Sequence, residues 1–101
     1  MKKLTLIVHA NTQQMLADVL RDIPPVQGFI FTKVEGHGAQ DEHDSTLSAR
    51  DRVVGYTPQV RVDIVLEDAD VATVLTVIRD NGGVTSRGVY WVAALEQFGR
   101  L

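Results

Sequence analysis

There is no cysteine in the 101 residues. Disulfides, thiolate nucleophiles and zinc-finger sites are excluded together, so any metal site must use histidine, carboxylate, methionine or backbone oxygen. A surplus of positive charge is also missing. Ten Lys and Arg stand against thirteen Asp and Glu, a net charge of −3. Phosphate contacts demand clustered cations, so no nucleic-acid partner is expected. No apolar run approaches the ~20 residues needed to cross a bilayer, so no membrane insertion is expected. Met1-Lys2-Lys3 has the basic opening of a signal peptide, but "LTLIVH" is too short for its apolar region and no small-residue cleavage site comes after it. The segment reads as a strand in an intracellular, cytoplasmic protein. Serine in a nucleophile elbow is absent too, and no other catalytic set is visible. A ferredoxin-like monooxygenase or isomerase would need a buried His or Trp, whereas the histidines fall at strand ends and in a loop. The chain reads as a non-enzyme.

What is present is an ordinary globular composition, 45% hydrophobic and 23% charged, in a length that fits one domain over residues 1–101. Lys3 to His9 reads as a strand, with Leu4, Leu6 and Val8 on one face and Ile7 on the other. Asn11 is placed to cap a helix, with Gln14 as reciprocal partner. Met15, Leu16, Val19, Leu20 and Ile23 recur at helical spacing until Pro24-Pro25 stops them. After Gly28, "FIFTKVEG" reads as a second strand, and Gln59 to Leu66 alternates as a third. Asp68 or Asp70 is placed to cap a second helix over "VATVLTVI". This run is rich in β-branched residues, but its acidic start, the shared face of Val71, Leu75 and Ile78, and the Asn81-Gly82-Gly83 stop favour helix. Gly88 to Glu96 gives the last strand. Adjacent Tyr90 and Trp91 are assigned to opposite faces, one to the core and one to an interface.

The order is βαββαβ, an α+β ferredoxin-like sandwich with both helices on one face of an antiparallel sheet. The other face has no helix to cover it yet carries apolar residues, which predicts self-association. The segment between strands two and three, about residues 37–55, is far longer than the 2–5 residues usual for a hairpin loop. It is expected to be a long, mobile loop.

At the base of that loop stands "EGHGAQDEHD", Glu35 to Asp44, with two histidines and four carboxylates. Imidazole nitrogen and carboxylate oxygen suit Zn²⁺, Ni²⁺, Co²⁺ or Cu²⁺. The ligand candidates are His37 and His43, with Asp41, Glu42 or Asp44 completing the shell. His37 leads, because its flanking Gly36 and Gly38 let the backbone approach a ligand closely. The same run also reads as solvated surface. His9 is read as a strand-end surface residue rather than a member of this cleft. Gly82, Gly83, Arg87 and Gly88 have the makings of an anion cradle, although a helix stop and a turn explain those glycines fully.

Along nearly its whole length the chain resembles the PII-like superfamily of trimeric signalling proteins, which includes the CutA-type divalent-cation-tolerance proteins. The long segment after strand two is similar to the PII T-loop, and "VVGYTPQVRVDIVLEDADVATVLTVI" resembles the PII segment that comes after that loop. Glu35-Gly36-His37-Gly38, Tyr90-Trp91-Val92 and Phe98-Gly99-Arg100-Leu101 resemble most closely the marks of a small PII-like family often encoded beside heavy-metal efflux pumps. The resemblance implies a homotrimer, a metal-linked regulatory role, and an efflux component as protein partner through the 37–55 loop. It also implies, as the alternative ligand, AMP, ADP or ATP at Gly36, Gly38, Gly82, Gly83, Arg87 and Gly88. Against that alternative, "NGGVTSRGV" offers only Arg87 as a cation where PII proteins carry a cluster of lysines. A third reading is an assembly module with no small ligand.

Overall fold

The computed structural model describes residues 1–37, 57–81 and 88–101. Four strands carry the fold: β1 (Lys2–His9), β2 (Phe29–Gly36), β3 (Thr57–Leu66) and β4 (Val89–Ala94). Two helices, α1 (Gln13–Arg21) and α2 (Val71–Asp80), come after β1 and β3. The sheet order is β2-β3-β1-β4 and all three pairings are antiparallel. β1 and β2 therefore run parallel with β3 inserted between them, which is the split βαβ expected from the sequence. The connection between Gly36 and Thr57 lies, apart from His37, outside the described residues, and so does the expected mobility of its loop.

Alternation divides the sheet into two chemically different faces. Leu4, Leu6 and Val8 of β1 stand beside Val60, Val62, Ile64 and Leu66 of β3, all at most 3% exposed. Against them pack Leu16 and Leu20 of α1 and Val74, Leu75 and Ile78 of α2. Each such side chain contributes about 1.5–3 kcal/mol on leaving water, and the helices exist because this stripe has somewhere to go. That is why "VATVLTVI" is helical despite its β-branched residues: packing outweighs a propensity difference of a few tenths of a kcal/mol per residue. Met15 does not join the stripe. It is 55% exposed, because the next residue, Leu16, takes the buried position.

The expected helix starts are corrected. Asn11 caps nothing with its side chain. Instead Nδ1 of His9 accepts the Asn11 backbone N–H at 3.1 Å, and the Thr12 hydroxyl donates to the His9 carbonyl at 2.8 Å. A 3-10 turn over Ala10–Thr12 thus precedes α1. His9 can serve because a ring nitrogen two bonds from Cβ reaches as an Asn oxygen does. At α2, neither Asp68 nor Asp70 makes a capping bond. The Asp68 carboxylate turns to the Met1 α-amino group at 3.0 Å and to Lys2 at 3.9 Å. A full positive charge attracts it more strongly than orphan amides do. The stops agree better. α1 ends at Arg21, and Pro24-Pro25 occupy the middle of a turn closed by the Val26 N–H on the Ile23 carbonyl at 3.0 Å. At the end of α2 the Asn81 side chain donates to the Val77 carbonyl at 2.8 Å.

The helix-free face is organised in rows across all four strands. One row is Ile30–Asp63–Thr5–Trp91 and the next is Thr32–Arg61–Ile7–Val89. Ile30, Val89 and Trp91 are 66%, 58% and 48% exposed. The assignment of Tyr90 or Trp91 to the core is corrected: both are about half exposed on edge strand β4, Trp91 on the helix-free face and Tyr90 on the helix side. Tyr90 is held from the helix side by Arg79, which donates to its hydroxyl at 3.0 Å and sits 5.2 Å from its ring centroid.

Candidate functional site

The register places Gly36, with His37 next to it, at one end of the sheet. Gly36 stands opposite Thr57, Glu35 opposite Pro58 and Val34 opposite Gln59. On the far side of β3, His9 of β1 also stands opposite Gln59. Residues opposite one another share a face. His9, Gln59 and Val34 therefore lie on the helix-free face. Glu35 belongs to the other, and His37, two residues further along, goes with it.

This separates the two described histidines. His9 accepts the Asn11 backbone N–H and lies on the other face of the sheet from Glu35. The expected strand-end position is correct, and its chemistry is that of a local acceptor.

Nε2 of His37 lies 2.8 Å from Oε2 of Glu35. Both side chains are well exposed, so the pair contributes little to stability. What it provides is two donor atoms of metal-ligating type held together by strand alternation. Between them Gly36 leaves room for a neighbouring side chain. A Cβ there would run into the side-chain amide of Gln59, which lies across the strand at this point. Glycine thus lets the strand finish while Gln59 lies flat against it.

Of the other metal candidates, Asp41, Glu42, His43 and Asp44 lie outside the described residues. Of the nucleotide candidates, Gly38, Gly82, Gly83 and Arg87 also lie outside them. Gly36 and Gly88 are described, and the sheet holds them apart. Gly36 ends edge strand β2, while Gly88 precedes the opposite edge strand, β4. Gly88 lines a small apolar cleft of about 160 Å³ between α2 and β4, with Arg79 and Tyr90 also on its walls.

A larger cavity, about 640 Å³, opens at the other end of the sheet, where β2 begins and β3 ends. The C-terminal residues Phe98 and Arg100 form one wall, with Gly28, Ile30, Lys3 and Asp63 among the rest. No residue proposed from the sequence as a metal or nucleotide ligand lines it. Its lining is electrically mixed, with Lys3 and Arg100 facing Asp63, Glu67 and Asp70.

Two residues of interest are not singled out by sequence pattern. Glu35 counts among the acids of its run without being paired with His37, although an i, i+2 spacing at a strand end places both on one face. Arg100 is visible only as part of a terminal motif, and nothing local indicates that the tail crosses the sheet end.

A model of the family described as "Protein of unknown function (DUF3240)" matches residues 1–101. Among curated proteins, the nitrogen regulatory protein P-II of Rhizobium meliloti (strain 1021) is 29% identical over 104 residues, covering 100% of this chain and 91% of its own. Nitrogen regulatory protein GlnK of Escherichia coli (strain K12) is 25% identical over 103 residues, again covering 100% and 91%. Among solved structures, a DUF3240 family protein from Shewanella baltica OS155 superposes with a TM-score of 0.75 at 20% identity, covering 99% of this chain and 94% of that one. The fold is that of the PII-like proteins.

Proposed function

The chain belongs to the DUF3240 family, and from that premise we propose that it is a non-enzymatic PII-like regulator whose effector is a divalent transition metal bound at the end of β2. The relatives named nitrogen regulatory proteins support the regulatory half of this reading across the whole chain. The observation that carries the metal half is the 2.8 Å approach of His37 Nε2 to Glu35 Oε2. It sets an imidazole and a carboxylate side by side at the mouth of the 37–55 segment, where Asp41, Glu42, His43 and Asp44 come next in sequence. Zn²⁺, Ni²⁺, Co²⁺ and Cu²⁺ all accept such donors.

The assembly proposed is a homotrimer in the cytoplasm. Exposed Ile30, Val89 and Trp91 on the helix-free face support burial of that face between copies. Among the described residues no helix is long and apolar enough to cross a membrane. Binding at the strand end would fix the shape of the 37–55 segment and so present or withhold a surface to a protein partner. An efflux component is the partner proposed.

Calorimetric titration of the purified protein with Zn²⁺, Ni²⁺ and Cu²⁺, alongside His37→Ala, tests the reading. Saturable binding in the wild type that is lost in the variant supports it. Absence of binding below high-micromolar metal overturns it.

The second reading, an adenine-nucleotide sensor, rests on the PII-like fold and would use Gly36, Gly38, Gly82, Gly83, Arg87 and Gly88 rather than the 640 Å³ cavity, whose two cations stand among three carboxylates. A screen of melting temperature against AMP, ADP and ATP separates the two, because a ligand that binds only the folded state raises it.

A further inference from the structure

We propose that Arg61 and Asp63 align one copy of this chain on the next, the terminal nitrogens of each Arg61 donating to the Asp63 carboxylate of the adjacent copy. This rests on the reading that the chain is a homotrimer closed through its helix-free face, and adds which side chains set its register. Ile30, Val89 and Trp91 lie on the edge strands of that face, all about half exposed or more. Thr5, Arg61 and Asp63 lie on β1 and β3 between them. Asp63 is the one carboxylate among the described strand positions there. The cations are Arg61 and, one row beyond Thr5, Lys3.

The Arg61 guanidinium is only partly used within the protomer. Its Nε donates to Oδ2 of Asp63 at 3.1 Å, and its side chain stays 43% exposed. The terminal nitrogens, which carry the rest of its N–H donors, meet no acceptor among the described residues. Asp63 is fixed from two sides by Thr5 and Arg61, and each of its oxygens keeps a lone pair for a further donor. An apolar contact that closes over such a guanidinium strips it of water, which opposes association unless acceptors arrive from the other side. In a ring of head-to-tail copies, one patch of each copy meets a different patch of the next. A face with one such guanidinium and one carboxylate is then complementary to itself all the way round. A slipped register strands both charges in an apolar contact. The pair therefore selects one alignment where Ile30, Val89 and Trp91 alone would accept several.

The experiment uses Arg61→Asp and Asp63→Arg, each purified alone and then mixed in equal amounts, with the oligomeric state read by light scattering. Each variant carries like charges at both positions, so its internal pair is broken and mixing cannot mend it. Only contact between copies can. The expected result is a trimer for the wild type, a monomer for each variant alone, and association on mixing. Circular dichroism verifies the fold of each variant. Arg61→Gln and Asp63→Asn add no charge and give a second measurement free of repulsion. Their dissociation on dilution should set in at a concentration about 30-fold or more above that of the wild type. Charged variants that stay trimeric, or a mixture of folded variants that stays monomeric, overturn the contact and leave the trimer standing. Should the charged variants fail to fold, unchanged dissociation of the neutral ones overturns it. A wild type that is monomeric at every concentration leaves the guanidinium to an acidic partner of another kind, and overturns both the contact and the trimer.

Discussion

The hydroxyl of Thr5 donates to Oδ1 of Asp63 at 2.8 Å across the β1–β3 pair, on the face of the sheet that no helix covers. Thr5 is only 1% exposed there, and Asp63 receives a second bond from Nε of Arg61 at 3.1 Å. A carboxylate so enclosed depends on its donors. Thr5→Val keeps the shape and removes one of them, and should cost about 1–3 kcal/mol. Thr5→Ser keeps the bond and should cost less. Urea denaturation of the two variants checks the order.

The alternating exposure along α1 gives a sharper contrast. Leu16 is 0% exposed, while its neighbour Met15 is 55% exposed. Leu16→Ala should destabilise by about 2–5 kcal/mol, through lost transfer energy and the cavity left behind. Met15→Gln should lie within about 0.5 kcal/mol of wild type. Similar midpoints for both variants would show that the helix presents another face.

The cap at His9 is tested by replacement with shorter acceptors. His9→Ala removes the acceptor of the Asn11 N–H and should cost about 1 kcal/mol, while His9→Asn or His9→Asp should recover much of it. Thermal unfolding followed by circular dichroism reads the difference.

Most of the fold was legible from period alone. Alternation in "QVRVDIVL" and the shared face of Leu75 and Ile78 each had one solution that buried apolar surface, and the structure takes it. The capping residues were not legible, because several polar residues at each helix start compete for the same amides. His9 won over Asn11 at one start, and the pull of the Met1 amine drew Asp68 away from the other. The opposite faces of Tyr90 and Trp91 were legible, but the burial of one of them was not, because sequence shows that a strand exists and not that it lies at the edge of the sheet. The candidate site was half legible: His37 stood out between its glycines, whereas Glu35 acquires meaning only when β2 is known to continue straight through Gly36.

Asp68 carries a pH signature. The hydrogen bond from the Met1 α-amino group is the main cause that lowers its carboxyl below the usual aspartate value, with help from the charge of Lys2 and against a desolvation effect. A carboxyl depressed in the folded state stabilises the fold above its unfolded value, and that contribution disappears as pH falls through the folded value. Asp68→Asn should therefore be less stable than wild type at neutral pH, and the gap should close as pH falls through the lowered folded value. Urea midpoints measured across that range check it. A constant gap at every pH would show that the carboxylate charge is not the cause.

The helix-free face supplies the test of assembly. Trp91 closes one end of the row that runs through Thr5 and Asp63 to Ile30, and both end residues are about half exposed or more. In an isolated protomer these two apolar end residues stay in water, whereas self-association buries them at both partners at about 25 cal/mol per Å². Trp91→Arg places a charge on that face and removes its largest side chain. Light scattering coupled to size exclusion should show a trimer for the wild type and a monomer for Trp91→Arg. Met15→Lys, which charges an exposed residue on the helix side, should leave the trimer intact. A wild type that runs as a monomer at micromolar concentration would refute the assembly. A Trp91→Arg variant that remains trimeric would place the contact on another surface.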